Sequence, residues 1–219
     1  MACGRLPLWF RSDNVGAVDG DASTLENTRD PLALFEEWFA DARQHATGRH
    51  PAAVCVSTVD ADGVPAGRFV DLKAVVDAGF IFCTQLDSDK GRAIEVNARV
   101  ALTFWWDHVG RQVRVTGTAE RVDDAEADAF FRQRSRDAQL ASAVSQQSAP
   151  LGDLPGLEHR RAVLARRYAG VEIPRPANWG AYLVKPSRIE FLTFMENRMH
   201  LRRLFQRAGS TWTSSWLQP

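Results

Sequence analysis

The sequence predicts an α+β fold built on an antiparallel β-barrel. Three observations carry this expectation. Apolar, β-branched runs come in consecutive pairs joined by short turns, stretches with apolar residues at helical spacing flank those pairs, and the tail from Gly180 returns to strand patterning.

Residues 1–29 carry Gly, Asp, Ser and Asn without sustained periodicity and are expected to form a mobile N-terminal arm able to fold over a site. Asp30-Pro31 then opens a helix, with Asp as N-cap, Pro at the first helical position, and Leu34, Phe35, Trp38, Phe39 and Ala42 on one face. Ala53 to Val59 reads as a strand, and Asp60-Ala61-Asp62-Gly63 turns it into the next. Phe69 to Val76 and Phe80 to Thr84, separated by Asp77-Ala78-Gly79, form a hairpin. Ser88 is placed to cap a short helix over Lys90 to Val96.

Arg99 to Trp106 and Arg111 to Val122 form another strand pair. In the second, Val113, Val115, Gly117 and Ala119 alternate with Arg114, Thr116, Thr118 and Glu120, which gives one buried and one polar face. Residues 123–147 read as helical, followed by a basic helix from Leu157 to Tyr168 that Ile173-Pro174-Arg175-Pro176 ends. The tail offers strands at Gly180 to Val184, Ile189 to Phe194, His200 to Gln206 and Thr211 to Leu217. With no internal repeat, residues 30–219 are expected to form a single domain.

Composition narrows the function. Lys and Arg number 27 against 27 Asp and Glu, so no global field draws the chain to nucleic acid or to an acidic membrane, and any anion site must be local. Cys3, Cys55 and Cys83 are widely spaced and odd in number, which argues against a disulfide framework and against a zinc site and fits a reducing cytoplasm. The opening apolar run is too short for a signal peptide, and no stretch reaches the ~18 apolar residues of a membrane span. No H-E-x-x-H, G-x-S-x-G, P-loop or Rossmann motif occurs, so no metal is expected.

The hairpin carries the local chemistry. Arg68 and Lys73 bracket its first strand, while Thr84, Ser88 and Lys90 follow its second; cations and hydroxyls at strand ends, beside a helix N-terminus, suit a phosphate. The competing reading is that the cations are solvated and Ser88 only caps.

The order of small clusters decides between these readings. The sequence resembles the pyridoxamine 5'-phosphate oxidase family through DP-x2-LFEEWF at 30–39, S-T-V-D-x-D-G-x-P at 57–65, R-x-V-x-L-K at 68–73, S-x-K-G at 88–91 and RQV-x-V-x-G-x-A-E at 111–120. The match continues through F-F-x-x-R-x-R-D-x-Q from Phe130, S-x-QS at 145–148, P-x-P-x-x-WG at 174–180, I-E-F at 189–191, N-R-M-H at 197–200 and the closing L-Q-P. This resemblance implies a split-barrel homodimer with FMN at its interface and dioxygen as acceptor.

Carried over position by position, it assigns Arg68, Lys73, Thr84, Ser88, Lys90, Arg111, Gln112, Gln147, Ser148 and Arg202 to FMN. Arg198 and His200 are the implied catalytic pair, and Lys73, Phe130, Arg134 and Ala138 take the substrate positions with them. Departures are informative: Phe130 stands where the vitamin-forming members have Tyr, Ala138 where they have Ser, Leu192 where they have Trp, Asp89 where they have Arg, and Leu201 where they have Asp. The loss of two hydroxyls implies an oxidase whose substrate is a partly reduced aromatic or amine rather than a phosphorylated pyridine, like the phenazine-forming branch. The alternatives are a genuine pyridoxine/pyridoxamine 5'-phosphate oxidase, and a non-catalytic flavin carrier on the same barrel.

Overall fold

The structure is a computed structural model and describes residues 19–47 and 50–219. Among the described residues the α-helices and β-strands follow in order: α1 (Asp19–Asn27), α2 (Pro31–Gln44), β1 (Ala53–Val59), β2 (Pro65–Val76), β3 (Gly79–Gln85), α3 (Asp89–Val96), β4 (Arg99–Trp106), β5 (Arg111–Arg121), α4 (Asp124–Arg132), α5 (Arg136–Val144), α6 (Leu154–Arg167), β6 (Trp179–Thr193), β7 (Leu201–Ala208) and β8 (Thr211–Leu217), with a 3-10 turn at Asp107–Val109 between β4 and β5.

The strands form one sheet in the order β3-β2-β1-β4-β5-β6-β7-β8, and a further β3–β6 pairing closes the first six into a barrel. The ladders β1–β2, β2–β3, β3–β6, β6–β7 and β7–β8 are antiparallel. The expected α+β antiparallel barrel with peripheral helices is therefore the fold. Closure removes the unpaired edges that an open sheet of this size would expose.

Several expectations change in detail. Of the arm expected over 1–29, residues 1–18 lie outside the described residues, while Asp19–Asn27 form a helix with Leu25 fully buried. So short a helix, with few apolar positions, shows no sequence periodicity. The helical stretch 123–147 is two helices, because Ser135 caps a new one by accepting from the Ala138 N–H. The expected strands at 180–184 and 189–194 are one, β6. Its pairing with β3 ends at Val184 and its pairing with β7 starts at Arg188, so Pro186 falls in the gap between those two ladders.

The chain divides into two compact units. One gathers the described residues up to Ala52 with Thr103–Val115 and Ser187–Pro219. Its core is aromatic: Phe35 meets Phe104 edge-on at 4.8 Å, and Trp38 meets Phe191 at 5.1 Å. Asp30 caps α2 through the Leu32 and Ala33 N–H groups and aims the Phe35/Trp38 face inward.

The other unit gathers Ala53–Leu102 and Thr116–Pro186. β3 is buried at six of seven positions, and the β2–β3 register shifts between Leu72 and Ala74. Lys73 therefore sits at a bulge, a device that re-aims a side chain. A satellite cluster of Phe131, Leu140, Ile173 and Trp179 joins the helices to the start of β6. Among the described residues no helix is long and apolar enough to cross a membrane.

Candidate functional site

The second unit contains a cavity of about 1180 Å³, larger than most single-ligand clefts, which run to about 1,000 Å³. Its lining includes five cationic side chains, Arg68, Lys73, Lys90, Arg134 and Arg160, against one carboxylate, Asp71. The strongest feature is Lys90. Its side chain is 5 % exposed, and its ammonium donates to Gln147 Oε1 (2.7 Å), Thr84 Oγ1 (2.9 Å) and Ser88 Oγ (3.3 Å). All three acceptors are neutral, and among the described residues no carboxylate pairs with it. Burial first, and Arg68 second, push its pKa down from 10.5 to about 8, against a smaller pull from Asp89. A buried cation held only by neutral oxygens would gain from an anion beside it.

Local sequence explains how Lys90 gets there. Ser88 is fully buried, caps α3 by accepting from the Gly91 N–H, and donates to the Gln85 carbonyl at 2.6 Å. A Cβ at Gly91 would lie 1.9 Å from the Leu86 carbonyl oxygen, so only glycine lets the helix start so close to the end of β3. Thr84 Oγ1 donates to Gln147 Oε1 at 3.1 Å, and Ser148 Oγ accepts from the Asp89 N–H at 3.1 Å. The structure thus brings Lys90, Thr84, Ser88, Gln147 and Ser148 together.

The other cavity residues take separate places. Arg68 lines the cavity with its Nη1 on Thr58 Oγ1 (2.8 Å) and the carbonyls of Ala66 and Val56. Lys73 pairs with Asp71 at 3.1 Å. Arg134 stacks on Trp179, 5.1 Å from the ring centroid. Phe130 packs against the Phe131–Trp179 cluster, and neither it nor Ala138 belongs to the lining. Cys83 does, as a neutral thiol, because burial pushes its pKa up to about 11.

The remaining candidates lie in the first unit. Arg111 is 6 % exposed, ion-paired with Asp41 at 2.5 Å and stacked over Trp38, and Gln112 follows it, half-buried, in β5. Arg202 grips Glu190 through Nε (2.9 Å) and Nη2 (2.8 Å), beside Arg114 and Arg188. Burial alone would raise the Glu190 pKa, but hydrogen bonds from Arg114 and Arg202 outweigh it and hold it low.

The β6–β7 turn carries Arg198 and His200. Arg198 adopts φ 65°, and among the described residues its guanidinium has no partner. The Met195 N–H donates to His200 Nδ1 at 3.0 Å, which leaves the neutral ring's proton on Nε2, while Phe194 meets the ring edge-on at 5.2 Å.

Comparison with known proteins places this geometry. A family model described as pyridoxamine 5'-phosphate oxidase matches residues 41–164, and one described as the pyridoxine 5'-phosphate oxidase C-terminal dimerisation region matches 179–219. The chain is 42% identical over 196 residues to the pyridoxine/pyridoxamine 5'-phosphate oxidase of Sphingopyxis alaskensis, covering 90% of each. The chain belongs to the pyridoxamine 5'-phosphate oxidase family.

It is 45% identical over 190 residues to the equally named protein of Rubrobacter xylanophilus, covering 87% of each chain. PhzG from Burkholderia lata 383, solved in complex with tetrahydrophenazine-1-carboxylic acid, superposes with a TM-score of 0.87 at 30% identity, over 93% of this chain and 100% of that one. A family-related FMN binding protein from Nostoc punctiforme, at 17% identity and a TM-score of 0.72, shares the fold. As a member of the pyridoxamine 5'-phosphate oxidase family the chain is an oxidoreductase.

Within this family, Asp89 sits beside the Lys90 cradle. Its carboxylate pairs with Arg92 and its backbone N–H engages Ser148, so the acid is neutralised locally rather than turned on the cavity. Leu192 is half-buried in β6 opposite Arg202, and Phe194 packs on Trp105 at 5.0 Å. The residues fit a flavin mononucleotide: the Lys90 cradle supplies what a phosphate dianion needs, and the cavity exceeds what the phosphate alone requires.

Sequence reasoning missed Gln85, whose buried amide donates to the carbonyls of Ser142 (3.0 Å) and Ser145 (2.8 Å) and accepts from the Gln147 N–H (2.6 Å). A polar residue ending an otherwise apolar strand was the available signal. Ser142 and Trp179 were missed as well.

Proposed function

We propose that this protein is an FMN-dependent oxidase acting on a planar, partly reduced aromatic or amine substrate without a phosphate. The observation that carries the reading is Lys90, buried in a cation-lined cavity with no carboxylate paired to it among the described residues. Lys90, Thr84, Ser88 and Arg68 hold the FMN phosphate, with Lys73, Gln147 and Ser148 beside them. Arg111, Gln112 and Arg202 complete the site, some of these contacts coming across a homodimer interface. Held there, FMN would supply the hydride-accepting chemistry and the route for electrons to dioxygen.

Arg198 offers an unpaired guanidinium that orients the substrate and stabilises developing negative charge, and His200 donates through Nε2. Phe130 and Ala138, without hydroxyls, support a substrate lacking phosphate, with Lys73 and Arg134 as its remaining cations. The matched dimerisation region supports a homodimer, as do Phe69 (71 % exposed) and Met199 (62 % exposed), apolar side chains that a second copy would cover.

A second reading rests on the relatives at 42% and 45% identity, whose names make pyridoxine/pyridoxamine 5'-phosphate oxidation the alternative. Peroxide release by FMN-loaded protein given pyridoxine 5'-phosphate, pyridoxamine 5'-phosphate or a dihydroaromatic carboxylate tests both. Turnover of the carboxylate alone supports the first reading, and robust turnover of the phosphates replaces it with the second. Yellow protein inert to all three indicates a carrier.

A further inference from the structure

A distinct part of the cavity wall is built around Arg134. Its guanidinium lies over the Trp179 ring at 5.1 Å, and its Nη1 donates to Ser142 Oγ at 2.8 Å. Both anchors are fixed in turn. Trp179 is 2% exposed and meets Phe131 edge-on at 5.1 Å, and the Ser142 carbonyl accepts from Gln85 Nε2 at 3.0 Å. Stacking on the indole sets the plane of the guanidinium, and the serine hydroxyl sets its rotation within that plane.

The charge of this wall is limited. Lys73 is already paired with Asp71 at 3.1 Å, and Arg160, at the cavity edge, is exposed to solvent. Arg134 is instead partly desolvated: burial lowers its pKa from the usual guanidinium value. Asp71, paired with Lys73, acts only through space on this planar positive charge, and among the described residues no carboxylate is in direct contact with it. With one of its five N–H donors on Ser142, the edge formed by Nε and Nη2 is left as a fork.

We propose that Ser142 is a positioning residue, holding Arg134 against Trp179 so that the cavity presents a fixed fork to a carboxylate on a planar ring, in preference to a phosphate dianion. The proposal rests on reading the cavity as the oxidase site and specifies its substrate class. Fork and carboxylate match in plane, spacing and unit charge. A dianion demands more donors than this one fork presents. Ser142, one helical turn after Ala138 on α5, restores a hydroxyl to that helix but directs it to the arginine.

The test uses a matched pair of probes, 1-naphthoate and 1-naphthyl phosphate, titrated calorimetrically into FMN-loaded protein. Naphthoate is expected to bind about tenfold more tightly than naphthyl phosphate, from the better-matched fork. Ser142→Ala should weaken naphthoate about tenfold, as expected when a charged recognition group loses its orientation, and Ser142→Thr should restore it to within about twofold. FMN affinity should be unchanged in both variants, because the Lys90 cradle is untouched. Unchanged naphthoate binding in Ser142→Ala, no rescue by Thr, or tighter binding of the phosphate probe would each overturn the proposal. If FMN fails to bind while Ser142-dependent naphthoate binding persists, the flavin reading falls and this one stands.

Discussion

Replacing Lys90 by methionine separates binding from folding. In the unliganded chain the ammonium is buried against neutral oxygens, and its pKa falls from 10.5 to about 8. At about 1.4 kcal/mol per tenfold, the charged folded state bears a cost of about 3 kcal/mol near neutral pH, which Met removes. The substitution also deletes three hydrogen bonds, to Thr84, Ser88 and Gln147, at about 1 kcal/mol each. The two effects nearly cancel, so urea unfolding should place Lys90→Met within about 1 kcal/mol of the parent. FMN loses a charge-assisted contact of about 1.5–3 kcal/mol, so fluorescence-quenching titration should show affinity lower by roughly 10- to 150-fold. FMN binding within twofold of the parent in a folded Lys90→Met protein would refute the assignment of Lys90 to the phosphate; a large loss of stability would refute the claim that its charge is uncompensated.

Other expectations follow from the same geometry. FMN affinity should fall as pH rises through about 8, where the free cradle loses its proton, and calorimetry near that pH in buffers of different ionisation enthalpy should register proton uptake on binding. Stability of the FMN-free protein should move the opposite way: below about 8 Lys90 is charged in both states and its cost is constant, whereas between about 8 and 10.5 the unfolded chain holds more protons and the fold gains stability. Arg198→Gly should abolish turnover while FMN still binds, with unfolding free energy unchanged or raised by up to about 1 kcal/mol, since φ 65° suits glycine; loss of stability would count against this. Gln85→Leu strands the carbonyls of Ser142 and Ser145 and the Gln147 N–H, so urea unfolding should show a loss of about 3 kcal/mol, and FMN affinity should drop with it.

Legibility in the sequence followed the range of the interactions. The Ser88 cap and the Lys90 cation lie within one short segment, so chemistry and local conformation could be read together. The hairpin was equally plain, because alternation and Asp77-Ala78-Gly79 are local signals. Gln85 was silent because it acts on a segment 57 residues away, and Ser142 because its hydroxyl meets Arg134 across the break between two helices, where the sequence pattern reads as one. The strands expected at 180–184 and 189–194 proved to be one, because β6 runs on from its ladder with β3 into its ladder with β7, a continuity set by partners distant in sequence. Arg202 was expected at the cofactor, and its grip on Glu190 appears only when β6 and β7 are set in register.

The brace made by Gln85 has an evolutionary corollary. One carboxamide fastens the 142–147 segment at both ends, and that segment carries both Ser142, which holds Arg134, and Gln147, which holds Lys90. Lengthening or shortening it to reshape the Arg134 wall would disturb the Lys90 cradle at the same stroke. Drift in selectivity on this scaffold is thereby channelled into exchanges of single side chains on an unchanged backbone.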